Sequence, residues 1–359
     1  MTAKNSLKFA IVGCGRIAKR HSELLGDKQI KGATLVAVCD IDYEKAKRIG
    51  DQFSVPVYSD MNDMMRIEDV DVVVVLTPSG SHAENVVQLA EHGKHIMVEK
   101  PMALTLDDAD AMIRACDAHN SSLFVIKQNR FNVPVVKLKE AMDAKRFGKL
   151  VLGTVRVRWA RHQAYYDQDT WRGTWGMDGG VLTNQASHHV DMLEWMMGDV
   201  ESVFAKSTTA LVDIETEDTI VVTVKFRNGA LGIIEATTAA RPKDLEGSIS
   251  ILGENGTVVI GGFAVNEMKT WQFVDEAKGD NEVIEKYSVN PPNVYGFGHQ
   301  AYYEHVVDYI KNGGTNIVDG LQGRRSLELI NAIYESVETG KEVYLRFIPK
   351  RCKLGQKAQ

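Results

Sequence analysis

Two residues stand where they could move a proton, Lys100 and His188. Lys100 closes the run His95-Ile96-Met97-Val98-Glu99-Lys100-Pro101. Ile96 to Val98 read as the end of a short buried strand. Pro101 cannot continue it, because proline lacks an N–H and clashes with its neighbour. Glu99 and Lys100 are therefore expected at the carboxyl end of a strand, where open α/β sheets hold ligands. A lysine there, beside a bound cofactor, could polarise a substrate hydroxyl. The competing reading is a salt bridge at a strand-to-loop turn.

His188 sits in a segment that Gly179-Gly180 opens and whose pattern predicts a helix over 181–193. Asn184 lies one turn before it and Asp191 nearly one turn after, so all three share a face. Imidazole, with an ordinary pKa of about 6.5, can take a hydroxyl proton near neutral pH. A lone helical histidine is also a common structural hydrogen-bonding residue. The H-x-x-D pair has no evident third ligand, so no metal site is expected.

These groups need something to react with, and the N-terminal end points to it. An apolar run over 7–12 ends at Gly13-Cys14-Gly15-Arg16-Ile17-Ala18, a G-x-G-x-x-A pattern. The first glycine permits the tight turn, the second lets the backbone approach a pyrophosphate, and the small third residue lets helix pack on sheet. The following helix, predicted over 16–25, aims its N–H groups and dipole at the phosphates. A second strand over 34–39 ends at Asp40, about twenty residues further on, where a carboxylate accepts from ribose hydroxyls and repels a 2′-phosphate. NAD is the expected cofactor, with Asp40 as a mere turn or capping residue the alternative. Expected contacts are Gly13, Gly15, Arg16, Ile17 and Asp40. Further ones come from later strand ends and loops: Thr77, Pro78, His82, Glu99, Lys100, Gln128, Trp171 and Arg172. His82 either lines the nicotinamide end or simply caps the helix that follows.

The elements that must position these residues fall into two patterns. Strands at 7–12, 34–39, near 57, 70–76, 96–98 and 123–127 alternate with helices at 16–25, 43–53, 60–65, 81–91 and 105–119. That alternation predicts a doubly wound parallel sheet, the Rossmann type of α/β domain. The valine-rich run over 70–76 suits a strand buried on both faces. After a helix over 135–144 the period changes to two. Strands are expected at 150–159, 200–209, 219–226, 231–238, 247–252, 256–261, 271–274 and 282–287. Arg227-Asn228-Gly229-Ala230 and Glu254-Asn255-Gly256 mark hairpins. Strands without intervening helices predict a C-terminal α+β domain with a large open, mostly antiparallel sheet. Helices over 298–311 and 320–339 cover part of the fold, and 342–347 adds an edge strand. The expected domains are 1–127 and 128–359. The loop 163–175 carries Tyr165, Tyr166, Trp171, Arg172 and Trp175, a composition that suits either a binding loop or an aromatic plug between domains.

The totals agree with this picture. A 359-residue chain with 44% hydrophobic and 25% charged residues is ordinary for a globular protein. A net charge of −6 gives no basic bias toward nucleic acid. No run approaches the roughly 20 apolar residues of a membrane span, and residues 1–8 do not look like a signal peptide. Cys14, Cys39, Cys116 and Cys352 have no metal or redox spacing. A cytoplasmic protein without disulfides is expected.

Taken together, G-x-G-x-x-A, Glu99-Lys100-Pro101, and Gly180 through His188 and Asp191 resemble the glucose-fructose oxidoreductase/inositol dehydrogenase family (Gfo/Idh/MocA) over essentially the whole chain. The resemblance implies that Lys100 and His188 are the catalytic pair. The chain departs at Asn184, where many members carry aspartate; an amide can orient the imidazole but cannot stabilise its charged form comparably. Four further motifs are similar to those of a bacterial subgroup: Lys127 to Asn132, Thr170 to Trp175, Thr183 to His189, and Gly296-Phe297-Gly298-His299. Members of that subgroup oxidise carbon 3 of UDP-N-acetylglucosaminuronic acid for surface polysaccharide, and Asn184 looks like one of its features. The expected catalytic residues are Lys100 and His188 with Asn184 orienting the site, and the expected substrate site comprises Lys100, Arg158, Arg161, Tyr165, Asn184, His188 and Arg241. Arg158, Arg161, Arg172 and Arg241 are the candidates for the uronate or pyrophosphate, with ordinary surface charges the alternative reading of each. The resemblance also implies NADH that stays bound for reoxidation by 2-oxoglutarate, and a homodimer or homotetramer. An inositol or simple sugar dehydrogenase of the same family and a non-catalytic NAD-binding regulator are the alternatives.

Overall fold

The computed structural model describes residues 6–288 and 298–345. Within them the chain builds two sheets. The first contains β1 (Leu7–Val12), β2 (Ala33–Cys39), β3 (Val57–Tyr58), β4 (Val72–Val75), β5 (His95–Val98) and β6 (Leu123–Val125). Its order is β3-β2-β1-β4-β5-β6, and every pairing is parallel. Helices α1 (Ala18–Gly26), α2 (Tyr43–Phe53), α3 (Met61–Ile67), α4 (His82–Ala90) and α5 (Leu106–Ala118) connect the strands. All four valines of β4 are fully buried, as a strand covered on both faces requires. The order reverses between β1 and β4, so the loops after those strands flank a crevice at their carboxyl ends. They pack closely: Gly13 has φ +95°, and a Cβ there would lie 2.7 Å from the Leu76 carbonyl carbon and the Thr77 nitrogen. Only glycine tolerates both conditions.

Helix α6 (Val133–Asp143) leads into the second sheet. Its strands are β7 (Leu150–Arg158), β8 (Val200–Thr208), β9 (Thr219–Phe226), β10 (Leu231–Thr237), β11 (Glu246–Gly253), β12 (Gly256–Gly261), β13 (Glu267–Phe273) and β14 (Val343–Tyr344). The order is β13-β12-β11-β7-β10-β9-β8-β14. All pairings are antiparallel except β7 with β10. After the short α7 (Gln163–Tyr166), helix α8 (Ser187–Met197) covers one face, contributing Val190, Met192, Leu193, Met196 and Met197 to the core. Helices α10 (Gly298–Asn312) and α11 (Gly320–Thr339) serve both layers. Tyr302, Tyr303, Val306 and Val307 complete the core around Phe9 and Ile11, whereas Leu329, Ile330 and Ile333 join that around Val203 and Ile220. The other face of the second sheet is open, exposing Phe204, Val221, Leu231 and Ile233 beside a cross-strand ladder of Arg156, Arg158, Glu235 and Glu246.

Three expectations need correction. Residues 282–287 are not a strand. Asp280–Glu282 form a 3₁₀ turn and α9 (Val283–Lys286) a single helical turn, because Asp280 is captured by Arg146 and the Trp271 indole and ends the extended run. The helix over 181–193 starts only at Ser187; residues 181–186 are turns, tied to β9 through Val181 N–H on the Glu217 carbonyl. The last edge strand is only Val343–Tyr344, with Phe347 outside the described residues. Cys352 and the Gly296-Phe297 half of the fourth motif also lie outside them.

Candidate active site

Lys100 leaves β5 just beyond the ladder, where Glu99 N–H still donates to the Val75 carbonyl at 3.0 Å. The Lys100–Pro101 peptide is cis. The Glu99 carboxylate turns inward, accepting from Lys100 N–H (2.9 Å) and pairing with His21 Nε2 (3.2 Å), whose Nδ1 meets the Tyr303 hydroxyl at 2.7 Å. Burial pushes the Glu99 acid up, but the His21 hydrogen bond and the charges of His21, Lys100 and His299 outweigh it and hold the pKa at about 2. Lys100 itself is pushed below the usual lysine range by burial, which the charges of Glu99 and Asp178 partly offset and Arg172 reinforces.

The Lys100 ammonium donates to the Asn184 carbonyl at 2.7 Å. Asn184 lies in the turn before α8, its N–H donating to the Gly180 carbonyl at 3.0 Å. Its side-chain amide donates to Asp178 Oδ1, while Asp178 Oδ2 accepts from Gly173 N–H at 2.9 Å. Burial raises the Asp178 pKa; the Gly173 and Asn184 hydrogen bonds and the Lys100 and Arg172 charges oppose that.

His188, in the first turn of α8, is 8% exposed, and its Nε2 lies 2.8 Å from the Gln128 amide nitrogen. The Gln128 amide oxygen is buried and has no partner among the described residues. Turning that amide exchanges a donor for an acceptor at Nε2, so Gln128 controls which ring nitrogen carries the proton. Burial, and then the Lys100 charge, drives the His188 pKa well below 6.5. The ring is therefore neutral at neutral pH, the form a general base needs. Asp191 does not share this environment. It is buried and accepts from Lys127 and, in a two-point fork, from Arg130 Nε (2.7 Å) and Nη2 (2.8 Å). Those ion pairs commit the carboxylate away from any His188-Asp191 metal pair.

At the cofactor end the glycine turn is shaped for a dinucleotide. A Cβ at Gly15 would meet no atom within 4 Å. Helix α1 begins at Ala18 rather than 16, with no side-chain cap and no acid in its first turn, leaving its N–H donors to an anion. Asp40 closes β2 with Oδ2 accepting from Cys14 N–H (2.6 Å) and Oδ1 from Asp42 N–H (2.8 Å). Each oxygen retains acceptor capacity for a ribose hydroxyl, so these residues fit NAD. Thr77 Oγ1 accepts from Asn85 at 2.9 Å, and Pro78 precedes the 3₁₀ turn Ser79–Ser81.

Several of the expected contact residues are engaged within the protein. His82 is 1% exposed, with Nδ1 at 2.8 Å from the Pro101 carbonyl and Nε2 at 2.9 Å from that of Thr77. It clamps the loops after β4 and β5 together from inside. Glu99 is likewise internal, and Gln128 faces His188. Arg158 belongs to the open sheet face, donating to Glu235 (2.6 and 2.8 Å) and Glu246 (3.3 Å), because alternation along β7 points it there. Arg241 donates to the backbone carbonyls of Thr238, Ala240 and Arg161.

The loop after β7 does gather cations. The guanidinium carbons of Arg16, Arg161 and Arg172 lie 5.6, 5.4 and 4.8 Å from the Tyr165 ring centre. Arg172 also donates to the Tyr165 hydroxyl (3.0 Å) and stacks on Trp171 at 4.5 Å. Arg161 pairs with Asp244 at 2.9 Å. Arg16 donates to Gln168, and Gly80 N–H to the Met177 carbonyl at 3.0 Å, so the loop spans both cofactor-side turns. Asp178, His21 and Glu217 escape sequence reasoning altogether. Glu217 is buried, accepts from Leu182 N–H and Tyr334 hydroxyl (both 3.0 Å), and sits under Gly180. Only the Asp-Gly-Gly spelling of residues 178–180 hints at a special turn.

A parallel sheet with a dinucleotide crevice, joined to a sheet that brings a neutral histidine toward a buried lysine, defines an NAD-dependent oxidoreductase. The chain belongs to the Gfo/Idh/MocA family. Residues 7–127 match the family model "Oxidoreductase family, NAD-binding Rossmann fold", and residues 139–345 its "C-terminal alpha/beta domain". Two solved structures are similar over nearly the whole length. The WlbA dehydrogenase of Chromobacterium violaceum, in complex with NADH and UDP-GlcNAcA, is 43% identical, with a TM-score of 0.90 covering 97% of this chain and 98% of that one. The WlbA dehydrogenase of Bordetella pertussis, with the same two ligands, is 40% identical, with a TM-score of 0.92 covering 97% and 100%. Myo-inositol 2-dehydrogenase of Thermotoga maritima is 30% identical over 94% of this chain and 98% of its own.

Proposed function

We propose that this protein oxidises the 3-hydroxyl of a UDP-N-acetylhexosaminuronic acid, UDP-GlcNAcA in the first instance, to the 3-keto sugar, for bacterial surface-polysaccharide biosynthesis. The observation that carries the reading is Lys100 at the end of β5 and a neutral His188 in the first turn of α8 that feels its charge, in a chain 43% identical to a dehydrogenase that binds UDP-GlcNAcA. NAD, when bound, supplies the acceptor for the hydride leaving carbon 3. His188 takes the hydroxyl proton as that carbon–hydrogen bond breaks. Lys100 keeps one N–H on the Asn184 carbonyl and offers another to the reacting oxygen, stabilising its developing negative charge. Asn184 orients the lysine. Arg161 and Arg172, around Tyr165, meet the anionic part of the substrate, and Arg16 faces the cofactor phosphates.

The same reading includes 2-oxoglutarate as oxidant of NADH that remains bound. It includes a homodimer or homotetramer formed over the open sheet face, and a cytoplasmic location, where nucleotide sugars and NAD are available. Domains divided at 127/128 belong to it too. No helix of the described residues is long and apolar enough to cross a membrane. The test is turnover of UDP-GlcNAcA by purified protein, with and without 2-oxoglutarate, following 3-keto product. Product dependent on the keto acid is the expected result. No product in either arm, with turnover of myo-inositol and NAD, would replace the substrate by that suggested by the Thermotoga maritima relative.

A further inference from the structure

The proposed chemistry gives roles to Lys100, His188 and Asn184 but none to Asp178, the buried carboxylate one hydrogen bond behind Asn184. Asp178 is 1% exposed. Among the described residues it forms no side-chain ion pair with a cation. Its hydrogen bonds are from the Gly173 N–H and the Asn184 amide, and Asn184 in turn holds the Lys100 ammonium through its carbonyl. A carboxylate is costly to bury unless nearby positive charge compensates it. The cations that interact with it are Lys100 and Arg172.

We infer that Asp178 is a positioning residue for the dehydrogenation. Through Asn184 it fixes the carbonyl that aims Lys100, and its negative charge acts on the ammonium of that buried lysine. The inference rests on reading Lys100 as the group that holds the reacting oxygen. The charged and titratable groups that interact with Lys100 are Glu99 from its own strand end, Asp178 and Arg172 from the segment before α8, His188 from α8 and His82 from α4. Of the two anions, Glu99 is already engaged by His21 and by the Lys100 backbone. Whereas Glu99 exerts the larger charge effect on the lysine, Asp178 is linked to the ammonium itself, through the Asn184 amide and carbonyl. Its geometry is set by Gly179, at φ +80°, which turns the chain between Asp178 and the Asn184 turn. Arg172 opposes Asp178 at the lysine, so an anionic substrate that engages Arg172 strengthens the influence of Asp178 at the moment of reaction.

The test measures Lys100 directly. Trace acetylation of the holoenzyme with acetic anhydride across a pH series, read on the peptide carrying Lys100, yields the midpoint at which its amine becomes nucleophilic. Asp178→Asn keeps the shape and removes the charge; it should lower that midpoint by about one unit. The pair Asp178→Asn with Asn184→Asp moves the carboxylate to the other end of the same hydrogen bond and should restore the midpoint to near that of the parent. With UDP-GlcNAcA, the alkaline limb of kcat should follow the same order. An unchanged midpoint in Asp178→Asn would overturn the inference. If that single variant does not fold, Asn184→Ala, which cuts the link between Asp178 and the lysine, decides: a shifted Lys100 midpoint supports the role and a parent-like one refutes it. The labelling requires no turnover. A parent protein inactive on UDP-GlcNAcA would overturn the substrate proposal while leaving this result readable.

Discussion

Replacing Asp191 by asparagine should cost more stability than any surface change and should show a characteristic pH dependence. The carboxylate is shared by two buried cations. Arg130 holds it with two hydrogen bonds, and Lys127, which also donates to the Gln322 carbonyl (2.7 Å) and Ser326 hydroxyl (2.8 Å), holds it with a third. Removing one partner of a buried pair while leaving the opposite charge behind costs about 3–5 kcal/mol. Two stranded cations put Asp191→Asn at the upper end, about 5 kcal/mol, a fall in Tm of roughly 7 °C for a chain of 359 residues. Burial already pushes Lys127 down to about 8, with Asp191 the largest opposing influence. A lysine depressed in the folded state contributes stability that is full above its unfolded value of about 10.4 and is lost as pH falls through the folded value. In the parent that window runs from about 10.4 down to about 8; without Asp191 the folded value drops further and the loss extends to lower pH. Urea unfolding at pH 7 and pH 9 should therefore show a penalty that shrinks at the higher pH. A penalty below about 1 kcal/mol at pH 7, or one that grows with pH, would refute the compensation argument.

Lys100→Met should lower kcat by about 10²-fold or more while cofactor binding, read by NADH fluorescence, is retained. Asp40→Ser should weaken NAD and relieve repulsion of the 2′-phosphate, narrowing the ratio of kcat/KM for NAD over NADP by roughly tenfold or more; an unchanged ratio would assign Asp40 to the Cys14 turn alone. Burial raises Glu217 from its ordinary 4.5 to about 7, against the Leu182 and Tyr334 hydrogen bonds. Its contribution is therefore full below about pH 4.5 and lost as pH rises through about 7, so Glu217→Gln should gain on the parent by up to roughly 3 kcal/mol between pH 5 and pH 8 in urea unfolding.

What could be read before any coordinates were those features that depend on local pattern. The order of six strands, the G-x-G-x-x-A turn and the place of Lys100 follow from apolar runs ended by glycine or proline, signals that tertiary context seldom overrides. Period-two alternation located seven of the antiparallel-sheet segments, but misread 282–287. There the Arg146-Asp280 pairing, contributed from far away in sequence, holds a turn that alternation alone cannot predict. The helix over 181–193 was overextended for a similar reason: Glu217, a residue of the β9 approach, captures the N–H groups of Val181 and Leu182 and makes a turn of what reads as a helical start.

Side-chain direction was the harder part. Arg158 is basic and adjoins the binding loop, yet strand alternation sends it to the open face; His82 follows a ligand-side loop, yet two carbonyls draw it inside. Asn184 is the instructive case. From sequence it marks a missing carboxylate one turn before His188. In the fold a carboxylate is present, supplied by Asp178 across the Gly179-Gly180 turn and bonded to the Asn184 amide. Charge near a reacting lysine is a property of a volume, and a volume can be filled from more than one position in the chain. A substitution at the expected position therefore does not by itself remove the function it served; the neighbours that the turn brings in must be read with it.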